Sequence, residues 1–251
     1  MLRNLVLPLM ILSLTAKAQL NKTGNSGWSI GVNAGAGVGY RTLYTNQSSI
    51  ATETIKLTRD GREEPRVAIS ASFRIARQFS KRFGFEAGVG YHQTGWQYGS
   101  DLSELTFGDL IDPRRGFIYA TDTEVPVEAT FIDIFHYLEV PLAFTVTLGR
   151  GKLRSVSAIG IAPSFLVTAN AVTDYIYGDG RTERSRYEPV ESYKTLNMIP
   201  FFSTGLAIRS GTRWEFRLQP TVRYGLIDII DAPITAKIYS GTLEAGVRLA
   251  L

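Results

Sequence analysis

The chain has 251 residues, a formal net charge of +4 at pH 7, no cysteine, 44% hydrophobic and 11% aromatic residues. The lack of cysteine excludes a disulfide framework and thiolate chemistry, and the small positive charge, with no nucleic-acid-reading motif, gives no ground for a nucleic-acid partner. No glycine- or proline-rich linker divides the chain and no apolar run is long enough for a helical membrane span, so one folded body is expected.

The N-terminus reads as a targeting segment. Arg3 supplies a positive start, residues 5–14 form an apolar run too short to span a bilayer, and Ala16-Lys17-Ala18 fits the small-x-small cleavage pattern. A signal peptide is predicted over 1–18 and a mature domain over 19–251. Loss of Arg3 and Lys17 lowers the basic count from 27 to 25 against 23 acidic residues, leaving +2.

From residue 27 onward an alternation of period two recurs, the pattern of a strand with one apolar face. In 27–40 the even positions are Trp28, Ile30, Val32, Ala34, Ala36, Val38 and Tyr40, and the odd ones are small, among them Gly31, Gly35, Gly37 and Gly39. These glycines precede no helix and so fit no phosphate cradle. The alternation returns in 66–79 (Val67, Ile69, Phe73, Ile75), in 83–97 (Phe83, Phe85, Val89, Tyr91) and in 137–148 (Leu138, Val140, Leu142, Phe144). Segments 153–168 and 196–208 are apolar on both faces, while 213–227 and 239–251 are cleanly phased again. Eight strands are predicted, longer than the five or six residues usual in soluble sheets.

Long connectors (41–65, 99–129, 170–194, 228–238) alternate with short ones around 80–82, 149–152 and 210–212. That is the signature of an up-and-down meander with one elaborate and one plain end. Pro141, Pro163 and Pro220 fall inside predicted strands; a closed sheet has no edge to hide them, so a bulge or a missing ladder bond is expected at each.

Alternation does not say which face is outside, because a soluble barrel turns its apolar face inward and a membrane barrel turns it outward. Three features favour the membrane form. The polar face is mostly Gly, Ser, Ala and Thr, suited to a narrow eight-strand interior. Trp28 and Tyr40 stand about 30 Å apart along a tilted barrel, and Trp214 and Tyr224 about 25 Å, the height of a hydrocarbon slab between aromatic belts; Tyr239 joins them. Both charge signs occur on the polar face, in Arg66, Arg74, Glu86, Glu139, Glu215, Arg217, Arg223, Glu244 and Arg248, which can neutralise one another in a lumen. The predicted fold is therefore all-β: an eight-stranded antiparallel up-and-down transmembrane β-barrel with long extracellular loops and short periplasmic turns.

The segments YLEVPLAFTVTLG (137–149), IGIAPSFLV (159–167) and KRFGFEAGVGY (81–91) resemble the Bacteroidetes outer-membrane β-barrel family, the PorT-like or "porin family" proteins. The resemblance covers most of the mature chain and implies an outer-membrane location and an eight-strand barrel, with no single activity. Leu251 departs from the terminal aromatic usual in such barrels.

No catalytic motif is visible. His92 falls on the polar face near the elaborate rim. His136 points towards lipid, with Asp133 nearby. Both histidines read as interfacial polar residues, and the alternative is a lipid-modifying hydrolase using one of them. Asp101, Glu104, Asp109, Asp112, Asp122 and Glu124 lack calcium-loop spacing and read as a solvated loop. Residues 105–120 are apolar enough to form a lid over the mouth. The leading expectation is a non-enzymatic barrel with no cofactor and a lumen plugged by the Arg/Glu set. It contacts outer-membrane lipid and the barrel-assembly machinery, and its loops meet a protein partner or ligand. A narrow channel or secretion accessory is the third reading.

Overall fold

The computed structural model describes residues 27–46, 49–101, 126–149, 151–187 and 193–251. The expected signal peptide, the apolar lid and the acidic positions Glu104, Asp109, Asp112, Asp122 and Glu124 lie outside them.

The strands are β1 (Trp28–Thr45), β2 (Glu63–Gln78), β3 (Phe83–Asp101), β4 (Pro126–Glu139), β5 (Leu142–Leu148), β6 (Leu153–Tyr177), β7 (Thr182–Tyr187), β8 (Leu196–Ser210), β9 (Trp214–Tyr224) and β10 (Ile234–Ala250), with one helix, α1 (Ile50–Arg62), between β1 and β2. All neighbouring strands run antiparallel. β1 pairs with β2 and also with β10, from Ser29 opposite Ala250 to Thr45 opposite Ile234, so the sheet closes on itself. β4 and β5 occupy one place in the ring, since both pair with β3 on one side and β6 on the other. The ring therefore has eight strands. β7 pairs only with the far end of β6 and makes a hairpin beyond the ring.

The prolines explain the gaps in pairing. Between Glu139 and Leu142 the ladder to both neighbours lapses, and register is unchanged across the gap. Pro141 sits there, and Pro163 stands across from it on β6, accepting at its carbonyl from Val140 N–H at 2.9 Å. Two residues without N–H groups thus share one interruption. Near Pro220 the β8–β9 pairs lapse between Ser203 and Leu206, again without a shift. Each of the three costs ladder bonds and none makes a bulge; the register shifts lie instead between Pro65 and Ile69 on β2, and in the β4–β6 pairing between Pro126 and Glu128 and between His136 and Tyr137.

The connector expected over 41–65 is mostly structured: β1 continues to Thr45, and α1 follows. Ser49 caps the helix, its hydroxyl accepting from Thr52 N–H at 3.1 Å while Thr52 Oγ1 accepts from Ser49 N–H at 3.0 Å. Likewise β4 begins at Pro126 and β6 runs on to Tyr177, both inside segments expected to be loops. The tight turns at the other end use Gly149, Gly151 and Gly211 at positive φ.

Candidate functional site

The two faces of each strand meet different surroundings. Val38 (59%), Phe216 (48%) and Leu243 (52%) are among the apolar side chains exposed on the outside of the ring, whereas Arg74, Glu86, Glu244 and Arg248 are buried inside it. No helix among the described residues is long and apolar enough to cross a membrane.

Inside the ring the glycine face of β1 makes space. A Cβ on Gly31 would lie 2.8 Å from Arg248 Cγ, and one on Gly35 would lie 2.7 Å from Glu244 Cγ and 2.9 Å from Ser70 Oγ. The charged side chains of β10 and the hydroxyl of β2 occupy what a larger residue on β1 would take.

Seven of the nine predicted lumen residues join one chain of ion pairs. Glu215 accepts from Arg217 Nε at 2.7 Å, and Arg217 Nη1 reaches Glu86 at 3.0 Å. Glu86, 2% exposed, also holds Arg248 and stands 3.7 Å from Arg74. Arg74 approaches Glu244 at 3.5 Å, and Glu244 accepts from Arg223 and from Ser70 Oγ, the latter at 3.2 Å. Arg209, not singled out from the sequence because 196–208 is apolar on both faces, extends the chain with its Nε 4.0 Å from Glu215. Two predicted members stand apart. Glu139 is buried with only Ser164 Oγ at 3.5 Å as a described hydrogen-bond partner, and Arg66, opposite Gly39, has a buried Nη1 without a partner among the described residues.

The lumen expected to be plugged by the Arg/Glu set is filled differently towards the loop end. There Leu43, Trp96, Phe135, Tyr137, Ile199, Phe201 and Ile238 form a buried apolar layer. Ile229, from the β9–β10 connector, is buried in it. Asn197 ties that connector down: its Nδ2 donates to the Ile227 carbonyl at 3.1 Å, and its Oδ1 accepts from Ile227 N–H at 3.2 Å. Leu43 falls in the connector expected over 41–65 and Phe135 just ahead of the strand expected from 137, so the sequence assigns neither a parity.

Above this layer is a cluster that no pattern in the sequence marks. Arg41 is buried, pairs with Glu63, reaches Asp60 of α1 at 2.9 Å, and lies 5.9 Å from the centre of the Trp96 ring. Glu63 also accepts from Arg59 at 2.6 Å. Arg41 thereby fastens the helix to the barrel rim.

The histidines do not form a catalytic pair. His92 is buried inside the ring, with Nε2 3.3 Å from Ser240 Oγ. His136 is half-buried on the outer face, its Nδ1 2.5 Å from Tyr91 Oη. Asp133, three positions away on the same strand, belongs to the opposite face. No group of three or more potential metal ligands occurs among the described residues.

The predicted belt residues sort to two ends. Trp28 and Trp214 are exposed at the short-turn end, Trp28 beneath the Arg77 guanidinium at 5.3 Å. Tyr40, Tyr239 and Tyr224 lie side by side on β1, β10 and β9 at the loop end. Tyr40 is less free than a lipid-facing ring, because its hydroxyl donates to the Glu63 carbonyl at 2.7 Å. Tyr44 and Tyr224 share a hydroxyl–hydroxyl bond of 2.8 Å.

Comparison with known proteins follows the same outline. No curated protein sequence matches significantly. Among solved structures the chain is similar to Neisserial surface protein A (10% identity, 91% of this chain and 100% of that one, TM-score 0.44). It is also similar to the outer membrane protein OprG from Pseudomonas aeruginosa (10%, 92% and 99%, TM-score 0.41). A third similar structure is Ail, the attachment invasion locus protein of Yersinia pestis (12%, 88% and 98%, TM-score 0.36). Residues 17–231 match the model of the outer membrane protein beta-barrel domain. The closed eight-strand ring, its apolar exterior and this match over most of the sequence agree: the chain belongs to the outer membrane protein beta-barrel domain family, whose place is the bacterial outer membrane.

Proposed function

We propose that this protein is a non-enzymatic outer-membrane barrel with a closed lumen, acting through its loop end on a partner or ligand. The observation that carries the reading is the pair of layers across the lumen: the Glu86 ion-pair cluster and, nearer the loops, the apolar layer containing Trp96 and Phe135. Water-filled channels need a continuous polar path, and eight strands leave an interior only wide enough for side chains. The elaboration of the loop end, with α1 and the β6–β7 hairpin, supports a recognition role there. Within the family we place the chain with PorT-like proteins of Bacteroidetes, on the strength of the Tyr-Leu-Glu-Val-Pro-Leu element at 137–142. An N-terminal signal over 1–18 would carry it across the inner membrane, and the barrel-assembly machinery would insert it among outer-membrane lipids.

A hydrolase is less well served, since His92 is enclosed and His136 is engaged by Tyr91. Planar-bilayer recording tests the closed lumen: purified protein is expected to give no steady conductance, and large steady openings would overturn the proposal. Lipid A composition in cells carrying H92A/H136A is expected to be unchanged from cells carrying the parent; a difference would restore the enzyme reading.

A further inference from the structure

Below the Glu86 cluster the lumen opens at the short-turn end into a cavity of about 840 Å³. That volume is in the range of small-molecule sites. Eight basic residues line it, against one acidic side chain, Glu215, among the described residues; of the eight, Arg77 turns its guanidinium to Trp28 on the outer face. Four of the basic residues matter most. Arg217 and Arg248 form the roof, where Glu86 binds both. Among the described residues Arg209 has only the distant side of Glu215, 4.0 Å away, and that carboxylate is already held by Arg217 at 2.7 Å. Arg154 has no carboxylate within ion-pair distance among the described residues; its Nε donates to the Gly151 carbonyl at 3.2 Å.

A second observation points to a missing anion. The Arg248 side chain is only 5% exposed, yet its Nε–H has no hydrogen-bond partner among the described residues. Guanidinium donors are forked and always charged, and an unpaired one in a buried place is costly. An oxyanion in the cavity supplies what is lacking: an acceptor for the Arg248 Nε–H and countercharge for Arg154 and Arg209. The hydroxyls of Thr145 and Thr147, both buried in the wall, add neutral donors.

We propose that this vestibule binds a soluble, multiply charged oxyanion, a phosphate or polycarboxylate group, between Arg154, Arg209 and the Nε–H of Arg248. The strands of the ring wall the cavity from lipid, so the ligand enters from the aqueous space at the short turns. The proposal is independent of what the loop end recognises.

The test uses the folded protein in non-ionic detergent micelles at constant ionic strength, set with sodium chloride. Pyrophosphate and citrate are titrated separately while the arginine Nε–H signals are followed by 15N NMR. A saturable shift of the Arg248 Nε–H is expected, with affinity roughly tenfold or more weaker in R154Q/R209Q. R154Q alone, should the double variant fold poorly, is expected to fall between the two. K56Q/R62Q on α1, at the opposite end, is expected to bind like the parent. Response to pyrophosphate alone assigns a phosphate ligand, response to citrate alone assigns a carboxylate, and response to both supports a general oxyanion site. Absence of saturation with either probe, or undiminished affinity in R154Q and R154Q/R209Q, overturns it.

Discussion

Glu86→Gln isolates the ion-pair layer. The substitution keeps the shape of the side chain and removes the charge that three arginines share. Two of the three have other support: Arg217 keeps Glu215 at 2.7 Å, and Arg74 keeps Glu244 at 3.5 Å and Ser72 Oγ at 3.2 Å. Arg248 has no second carboxylate among its described contacts, and its Nε is already unpaired. The substitution therefore strands one buried guanidinium rather than three. Breaking a buried pair from one side costs about 3–5 kcal/mol, and the neighbours that remain satisfied put the expected loss at the lower end, about 3 kcal/mol. The assay is urea unfolding in lipid vesicles, read by tryptophan fluorescence and by the mobility of unboiled samples on a gel. Glu86→Gln with Arg248→Met should recover at least half of the loss, because the orphaned charge is then gone and the stem volume kept. Glu215→Gln, at the more open end of the chain, should cost less, about 1 kcal/mol. If Glu86→Gln unfolds within about 1 kcal/mol of the parent, or the double variant recovers nothing, the layer is not a buried, mutually dependent cluster and the reasoning fails.

Leu243→Arg on the outer face should lose about 2–4 kcal/mol in vesicles, the cost of a cation near the bilayer midplane; no loss would mean that this face does not meet lipid. Gly35→Leu should prevent folding, since its Cβ would come within 2.7 Å of Glu244 Cγ; a heat-modifiable folded band on a gel would contradict that. Trp96→Ala should cost about 3–5 kcal/mol and, by thinning the apolar layer, introduce transient conductance in planar bilayers where the parent has none. On the β6–β7 hairpin, the bidentate bond from Arg184 to Asp174 (2.6 and 2.7 Å) holds that carboxyl below its usual value of 3.8. A lowered carboxyl contributes stability above its unfolded pKa and loses it as pH falls through the folded one, so amide exchange in the hairpin should quicken, relative to the ring strands, only below about pH 4.

The strands were legible where one side of the chain meets lipid throughout. Across 27–40 and 213–227 every second residue is apolar because the hydrocarbon demands it, and the ring reproduces both runs. Legibility failed where that demand stops. Towards the loop end the inward positions also become apolar, as in Leu43, Phe135 and Ile199, so period two vanishes although the backbone stays extended. The extensions of β1, β4 and β6 therefore carry no strand signature in the sequence. α1 was invisible for a related reason: none of its residues is buried, so no apolar stripe marks it, and its cap uses Thr52 where Glu or Gln is the usual third residue. Of the lumen set, parity found the residues inside the ring but not their partners. Glu139 and Arg66 share the composition of the other seven yet lie outside their chain of ion pairs, which composition and parity do not reveal.

The two faces of β1 are consequences of one geometric constraint. An eight-strand ring has a bore that side chains alone can fill, and here the filling is done by guanidinium groups, which are long and planar. Room for them is found by thinning the wall: Gly31 lies under Arg248, and Gly35 under Glu244 and Ser70. The wall can be thinned on its inner side only if its outer side still anchors the strand, and Val32, Ala34, Ala36 and Val38 provide that contact. Moving a methyl group from outside to inside at this strand would thus weaken the lipid contact and expel a charged side chain in the same step. Such coupling makes β1 the strand least able to slip: a shift by one residue exchanges glycine for valine beneath Arg248.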